Sequence, residues 1–188
     1  MPGRNEILSA LAKSALDKQP MPVIDIAPNM QDLTGQFETN LAMVAGTLHR
    51  DATLELVQEK VNSLIAEGLQ VLSLVEGVTG NRTLPATPHE LKDIDYAVIS
   101  GELAVAENGA IWVTEQHQHR VTPFICENLL LVVAEEDLVA NMHQAVTKLT
   151  LESGSCGAFI AGPSKTADIE QSLVVGAHGA CSLGVYLV

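Results

Sequence analysis

Apolar positions along the chain alternate between a helical period and short continuous runs. In DATLELVQEKVNSLIAEG, Leu54, Val57, Val61, Leu64 and Ile65 form one stripe with charges opposite and Gly68 at the stop, which predicts a helix. Ile7, Leu8, Leu11, Ala15 and Leu16 predict an amphipathic helix over about 4–18, ahead of Pro20. PMPVIDIAPN follows as an extended linker, its prolines excluding helix. Leu41, Val44 and Ala45 predict a second helix from about Gln31 to Ala45, ended by Gly46, with a strand starting at TLHR. The runs LQVLSLV, NLLLVVA, GAFIAG and SLGVYLV read as buried strands, and YAVISGELAVAENGAIWVTE as two or three more, punctuated by Gly101 and Gly109. Helices are expected in EDLVANMHQAVTKL and TADIEQSLVVG. This alternation predicts an α/β fold: a mostly parallel sheet with helices on both faces, in one domain over residues 1–188.

Composition narrows the function classes. Apolar residues make up 47% of the chain and charged residues 18%, as in a folded globular protein, and with aromatics at 3% the interior must be aliphatic. The net charge of −13 repels phosphate backbones and anionic lipid headgroups, so neither nucleic acid nor membrane is an expected partner. The apolar run LLLVVA is too short to span a bilayer, and the N-terminal stretch lacks the apolar core of a signal peptide. A cytoplasmic location is expected. Cys126, Cys156 and Cys181 have no C-x-x-C spacing, so they predict no zinc or iron–sulfur framework in this chain; they are expected to be small buried residues.

Candidate chemistry gathers in three stretches. In GPSKTADIE, Pro163 and Ser164 separate Gly162 from Lys165 and break the contiguous Gly-Lys-Ser/Thr of a nucleotide-binding loop. A strand running through a Gly-Pro-Ser turn into a helix would still present free N–H groups, with Ser164, Lys165 and Thr166 beside them, to a small anion. The competing reading makes Thr166 and Asp168 helix caps only, Asp168 and Gln171 having capping-box spacing. In ELAVAENGAIWV, Glu107 stands at the rim of an apolar strand, where lost solvation would suit it to proton transfer or nucleophilic attack; Asn108-Gly109 is equally a hairpin turn. In EQHQHR, Glu115, His117 and His119 would share a strand face, but no further metal ligand is identifiable. His178 lies between two glycines that would allow close approach of a ligand, or simply a turn.

Taken together, YAVISGELAVAENGAIWV and GPSKTADIEQSLVVGAHGACSLGVYLV resemble the strand–Glu–turn–strand block and the C-terminal signature of the lactate-utilisation (LUD, LutC/YkgG-like) domain family. The resemblance implies a NagB/RpiA/CoA-transferase-like fold and a homodimer. It implies a part in oxidising L-lactate to pyruvate with separate iron–sulfur partner proteins, the clusters residing on those subunits and no cofactor in this chain. By position, the family's site falls on Glu107 and Asp168 as catalytic candidates. Ser164, Lys165, Thr166, Glu170 and His178 would hold a small organic acid or phosphate-bearing metabolite. Glu107-Asn108-Gly109 replaces the family's more common Glu-Thr-Gly and is similar to the nucleophile turn of some CoA-transferases, so a non-catalytic assembly subunit and a transferase or isomerase using Glu107 are alternatives.

Overall fold

Six residues from Asn128 to Val133 and six from Ser182 to Leu187 carry almost no polar side chain, because these strands are covered on both faces. The computed structural model describes residues 3–15, 20, 26–115, 119–150, 155–169, 172–176 and 178–188, with the backbone alone for 167–169, 172 and 173. In chain order the elements are α1 (Arg4–Lys13), α2 (Leu33–Met43), β1 (Thr47–His49), α3 (Leu54–Ala66), β2 (Val71–Ser73), β3 (Tyr96–Ser100), β4 (Leu103–Val105) and β5 (Ala110–Thr114). They continue with α4 (Thr122–Ile125), β6 (Asn128–Val133), β7 (Leu138–Val139), α5 (Met142–Lys148), β8 (Gly157–Ile160), β9 (Lys165–Ile169), β10 (Ser172–Val175) and β11 (Ser182–Leu187).

β1-β11-β6-β3-β2 form a five-stranded sheet in which every pair is parallel. The two-residue period of the strands divides the interior in two. Leu129, Leu131 and Val133 of β6, Leu183, Val185 and Leu187 of β11 and Ala97 and Ile99 of β3 face one core. Phe37 and Leu41 of α2 and the inward side chains of a second sheet close that core. Val98, Leu130, Val132 and Tyr186 face the other, closed by Val57, Val61 and Leu64 of α3. The stripe expected on α3 is therefore the packed face, although Leu54 at its start is 37% exposed. The second sheet is mixed, in the order β7-β4-β5-β8, with β5 antiparallel to both its neighbours.

Helix ends follow their caps. The Asp32 side chain accepts from Gly35 N–H at 3.0 Å and starts α2; Thr53 Oγ1 accepts from Leu56 N–H at 3.4 Å and starts α3. The expected helix over 136–149 is shorter than the sequence pattern suggested. Leu138 and Val139 instead pair in parallel with Ala104 and Val105, and Asn141 caps α5 by accepting from Gln144 N–H at 2.9 Å. At the N-terminus α1 covers 4–13; the remainder of the expected 4–18 helix reaches into residues outside those described, as does most of the linker after Pro20. None of the side chains of α1 is buried.

One expectation is overturned. In place of the helix expected over TADIEQSLVVG, Lys165–Ile169 and Ser172–Val175 form an antiparallel pair, β9 and β10, with Lys165 opposite Val175 and Thr166 opposite Val174. The β-branched residues Thr166, Ile169, Val174 and Val175 suit extended backbone, and they outweigh the capping-box spacing of Asp168 and Gln171. Gly176 then turns the chain with φ +79°, and its N–H donates to the Ser164 carbonyl at 2.9 Å, closing the base of the pair.

Candidate functional site: a cleft at the amino ends of the parallel strands

With β9 in place of a helix, the Gly-Pro-Ser corner has no row of free helix N–H groups. Its geometry is set by packing instead. Gly162 has φ +75°, and a Cβ built there would stand 2.0 Å from the Val44 carbonyl oxygen, so the corner lies directly against the C-terminal end of α2. Lys165 Nζ donates to the same carbonyl at 2.5 Å, a cation capping the negative end of the helix. Ser164 N–H donates to the Ala180 carbonyl at 2.9 Å, which brings the corner alongside the turn holding His178 and Gly179. A Cβ built on Gly179 would lie 3.1 Å from that of Ser164, close enough that glycine lets the two turns touch.

Between these turns, α4 and the first residues of β6 and β11 lies a cleft of about 290 Å³. Ser164, Lys165 and His178 all line it, so the structure brings three of the sequence candidates together. The buried Leu129 and Leu183 form its floor, continuous with the main core, and Phe124, 45% exposed, stands at its wall. Ligands of open parallel sheets usually gather at the carboxyl ends of the strands. This cleft lies at the amino ends of β6 and β11, because the corner after β8 is hydrogen-bonded there, from Ser164 N–H to the Ala180 carbonyl just before β11.

Glu107 is elsewhere. It follows β4, and Asn108-Gly109 forms the hairpin into β5, with Gly109 at φ +67° pressed against the backbone of Leu41. The Glu107 carboxylate is exposed rather than desolvated, and its Oε1 accepts from Met142 N–H at the first turn of α5, at 3.1 Å. It is not among the residues that line the cleft. Thr166 is partly buried on β9, opposite Val174. Asp168 is on β9 with only its backbone described, and Glu170 and His117 lie outside the described residues. Glu115 pairs with Arg120, and His119 Nε2 is 2.9 Å from the Pro85 carbonyl oxygen. Among the described residues no group of three or more His, Cys, Asp or Glu is arranged to hold a metal ion.

A second hollow of about 380 Å³ adjoins the first across Phe124, His178 and Gly179 and is lined by Asp93, Asp95, Cys126, Glu127 and Cys181. Burial pushes the Cys126 thiol up to about 12, so it stays protonated and unreactive at neutral pH. Cys126 is buried as expected, whereas Cys156 and Cys181 are exposed. The sequence reading missed Phe124 and the Asp95 and Glu127 positions. The available signal was Thr122-Pro123-Phe124, a proline-started turn bearing one of the chain's few aromatics.

Comparison with known proteins agrees with this architecture. A DUF162 family protein from Deinococcus radiodurans, known from a crystal structure, superposes with a TM-score of 0.63 at 18% identity, covering 86% of this chain and 99% of that one. Lactate utilization protein C of a Geobacillus species is 34% identical in an alignment of 101 residues that covers 47% of this chain and 42% of that protein. The protein of the same name from Shouchella clausii is 30% identical over 105 residues, 53% of this chain and 46% of that one. The matched stretch thus spans less than half the length of these curated relatives. No helix among the described residues is long and apolar enough to cross a membrane. The LUD domain itself matches residues 85–188, from the 3-10 turn before β3 through both adjoining turns of the cleft to the last strand. With more than half of its length matched in this way, the chain belongs to the LUD domain family.

Proposed function

We propose that the protein takes part in L-lactate utilisation as a LutC-like subunit. It binds a small organic acid or phosphate-bearing metabolite, while separate iron–sulfur proteins carry the electrons of lactate oxidation to pyruvate. The observation that carries the ligand part is the convergence of Ser164, Lys165 and His178 on one cleft. A hydroxyl, an ammonium and an imidazole are the donors an oxyanion needs. Lys165 gives one of its three N–H groups to Val44, and two remain. The pathway role is supported by relatives that bear the name Lactate utilization protein C.

Between a catalytic subunit and a non-catalytic assembly subunit, the occupation of Glu107 favours the second. A carboxylate holding the start of α5 has a structural task, and no described cleft places it opposite the anion donors. The test titrates lactate, pyruvate and phosphate into the purified chain and into Ser164→Ala and Lys165→Met. Binding weakened about tenfold or more in both variants is expected, and no binding to any of the three proteins removes the ligand reading. Affinity capture from cells, with lactate oxidation assayed in the captured assembly carrying Glu107→Gln, separates the roles: unchanged turnover keeps the assembly reading.

A further inference from the structure

The cleft has more room and more apolar lining than a three-carbon acid uses. A void of roughly 10–15 Å³ on this measure already admits one water, so the cleft of about 290 Å³ has room for a body larger than lactate or pyruvate. The polar groups come from one corner, Ser164 and Lys165 with His178 beside them. The rest is hydrocarbon: Leu129 and Leu183 on the floor, Ile160 at the end of β8, and the Phe124 ring. Phe124 is among the few aromatics of the chain and is left 45% exposed at the cleft wall, where its uncovered part offers apolar surface. Charge limits the other end. Lys165 is the one permanently cationic side chain among the described residues lining the cleft, and Asp93, Asp95 and Glu127 line the adjoining hollow, so a monoanion is matched better than a doubly charged phosphate.

We infer that the ligand of this cleft is an amphipathic monocarboxylate, its acid group on the Ser164–Lys165 corner and a hydrocarbon body of several carbons lying over Leu129 and Leu183 against Phe124. This rests on the anion-seat reading above and refines its ligand class. An apolar body moved from water onto such a floor strengthens binding by up to about fourfold per methylene while it remains covered.

The experiment measures calorimetric affinity of the full chain for lactate, butanoate, hexanoate and octanoate, with Phe124→Ser and Lys165→Met as variants. Phe124 is 45% exposed and is not part of the main core cluster, so its replacement leaves the packed interior largely in place. The expected result is affinity rising two- to fourfold per methylene to hexanoate and then levelling. The rise should flatten in Phe124→Ser, and every acid should weaken together in Lys165→Met. Lactate binding as tightly as hexanoate, with Phe124→Ser neutral, overturns this inference and leaves the anion seat standing. Hexanoate binding that neither variant changes places the acid elsewhere and overturns it too. No acid binding at all removes the anion seat along with it.

Discussion

Replacing Gly162 by alanine isolates what holds the cleft corner in place. Two glycines of the chain, Gly162 at φ +75° and Gly68 at φ +90°, share a left-handed backbone but differ in surroundings. A Cβ at Gly68 meets nothing within 4 Å, whereas one at Gly162 would stand 2.0 Å from the Val44 carbonyl oxygen. Forcing alanine into that region costs roughly 1–2 kcal/mol, offset by roughly 0.4–1 kcal/mol because the unfolded chain loses freedom. Gly68→Ala is therefore expected to destabilise by roughly 0–1.6 kcal/mol. Gly162→Ala bears the same cost plus the displacement of a backbone atom that no side-chain rotation can relieve, adding about 1–3 kcal/mol as overpacking does. Urea unfolding followed by fluorescence of Trp112, the single tryptophan and a buried one, measures both. Gly162→Ala should fall about 1–3 kcal/mol below Gly68→Ala with the same denaturant slope. Equal stability of the two variants refutes the tight seat of the corner on α2.

Thr122 is 1% exposed and its Oγ1 has no hydrogen-bond partner among the described residues, so Thr122→Val should raise stability by about 1 kcal/mol in the same assay; a comparable loss would mean that the hydroxyl is satisfied. Lys165→Met keeps the aliphatic stem but removes the cation from the C-terminal end of α2, and it should cost about 0.5–1 kcal/mol, with no loss refuting the cap. Alkaline pH gives a third check. The Cys126 thiol is pushed up to about 12 in the folded chain and ionises near ~8.5 when unfolded, so the unfolded state releases its proton first. Its contribution is fully present below that unfolded value and is lost as pH rises toward the folded one, by up to about 1.4 kcal/mol per unit. Burial also raises Tyr96 and Tyr186, which act in the same sense at higher pH. Cys126→Ala should show a shallower decline between roughly pH 9 and 11, and an unchanged slope would remove the buried thiol as its cause.

What could be read from the chain follows from which forces act locally. The parallel strands were legible because burial on both faces leaves runs such as Leu129 to Val133 with no polar position, and α3 because its stripe is the face that packs. Lys165–Ile169 and Ser172–Val175 depart from the expected helix because capping signals are local to the chain while strand pairing is not. Thr166 and Val174 meet across a hairpin whose base is held by the Gly176 to Ser164 bond. Leu138 and Val139 were hidden in an apparent helix for the same reason, since their partner is β4, more than thirty residues earlier. Of the site, Ser164, Lys165 and His178 were legible as polar residues punctuated by glycine and proline. Phe124 and the floor leucines were not, because nothing in a hydrophobic residue's own sequence distinguishes the end of a core from its middle.

The corner at Gly162 and the turn at Glu107 depend on each other through α2. Asn40 Nδ2 donates to the Ala106 carbonyl at 2.7 Å, and Gly109 lies against Leu41, while Gly162 and Lys165 lie against Val44. At ~1.5 Å per residue, those contacts are spaced about 6 Å apart along the helix. Both turns also leave the same end of the mixed sheet, since β4 and β8 flank β5 and each runs antiparallel to it. A single helix end thus gauges the separation of the two turns. Moving α2 by one residue would strip the carbonyl partner from Lys165 and drive a backbone atom into Gly109 together. On this geometry one scaffold positions both turns, although Glu107 stays outside the cleft that the hydroxyl corner lines. The proposed anion donors are then side chains on a fixed frame rather than helix N–H groups, so the proposal is testable one residue at a time.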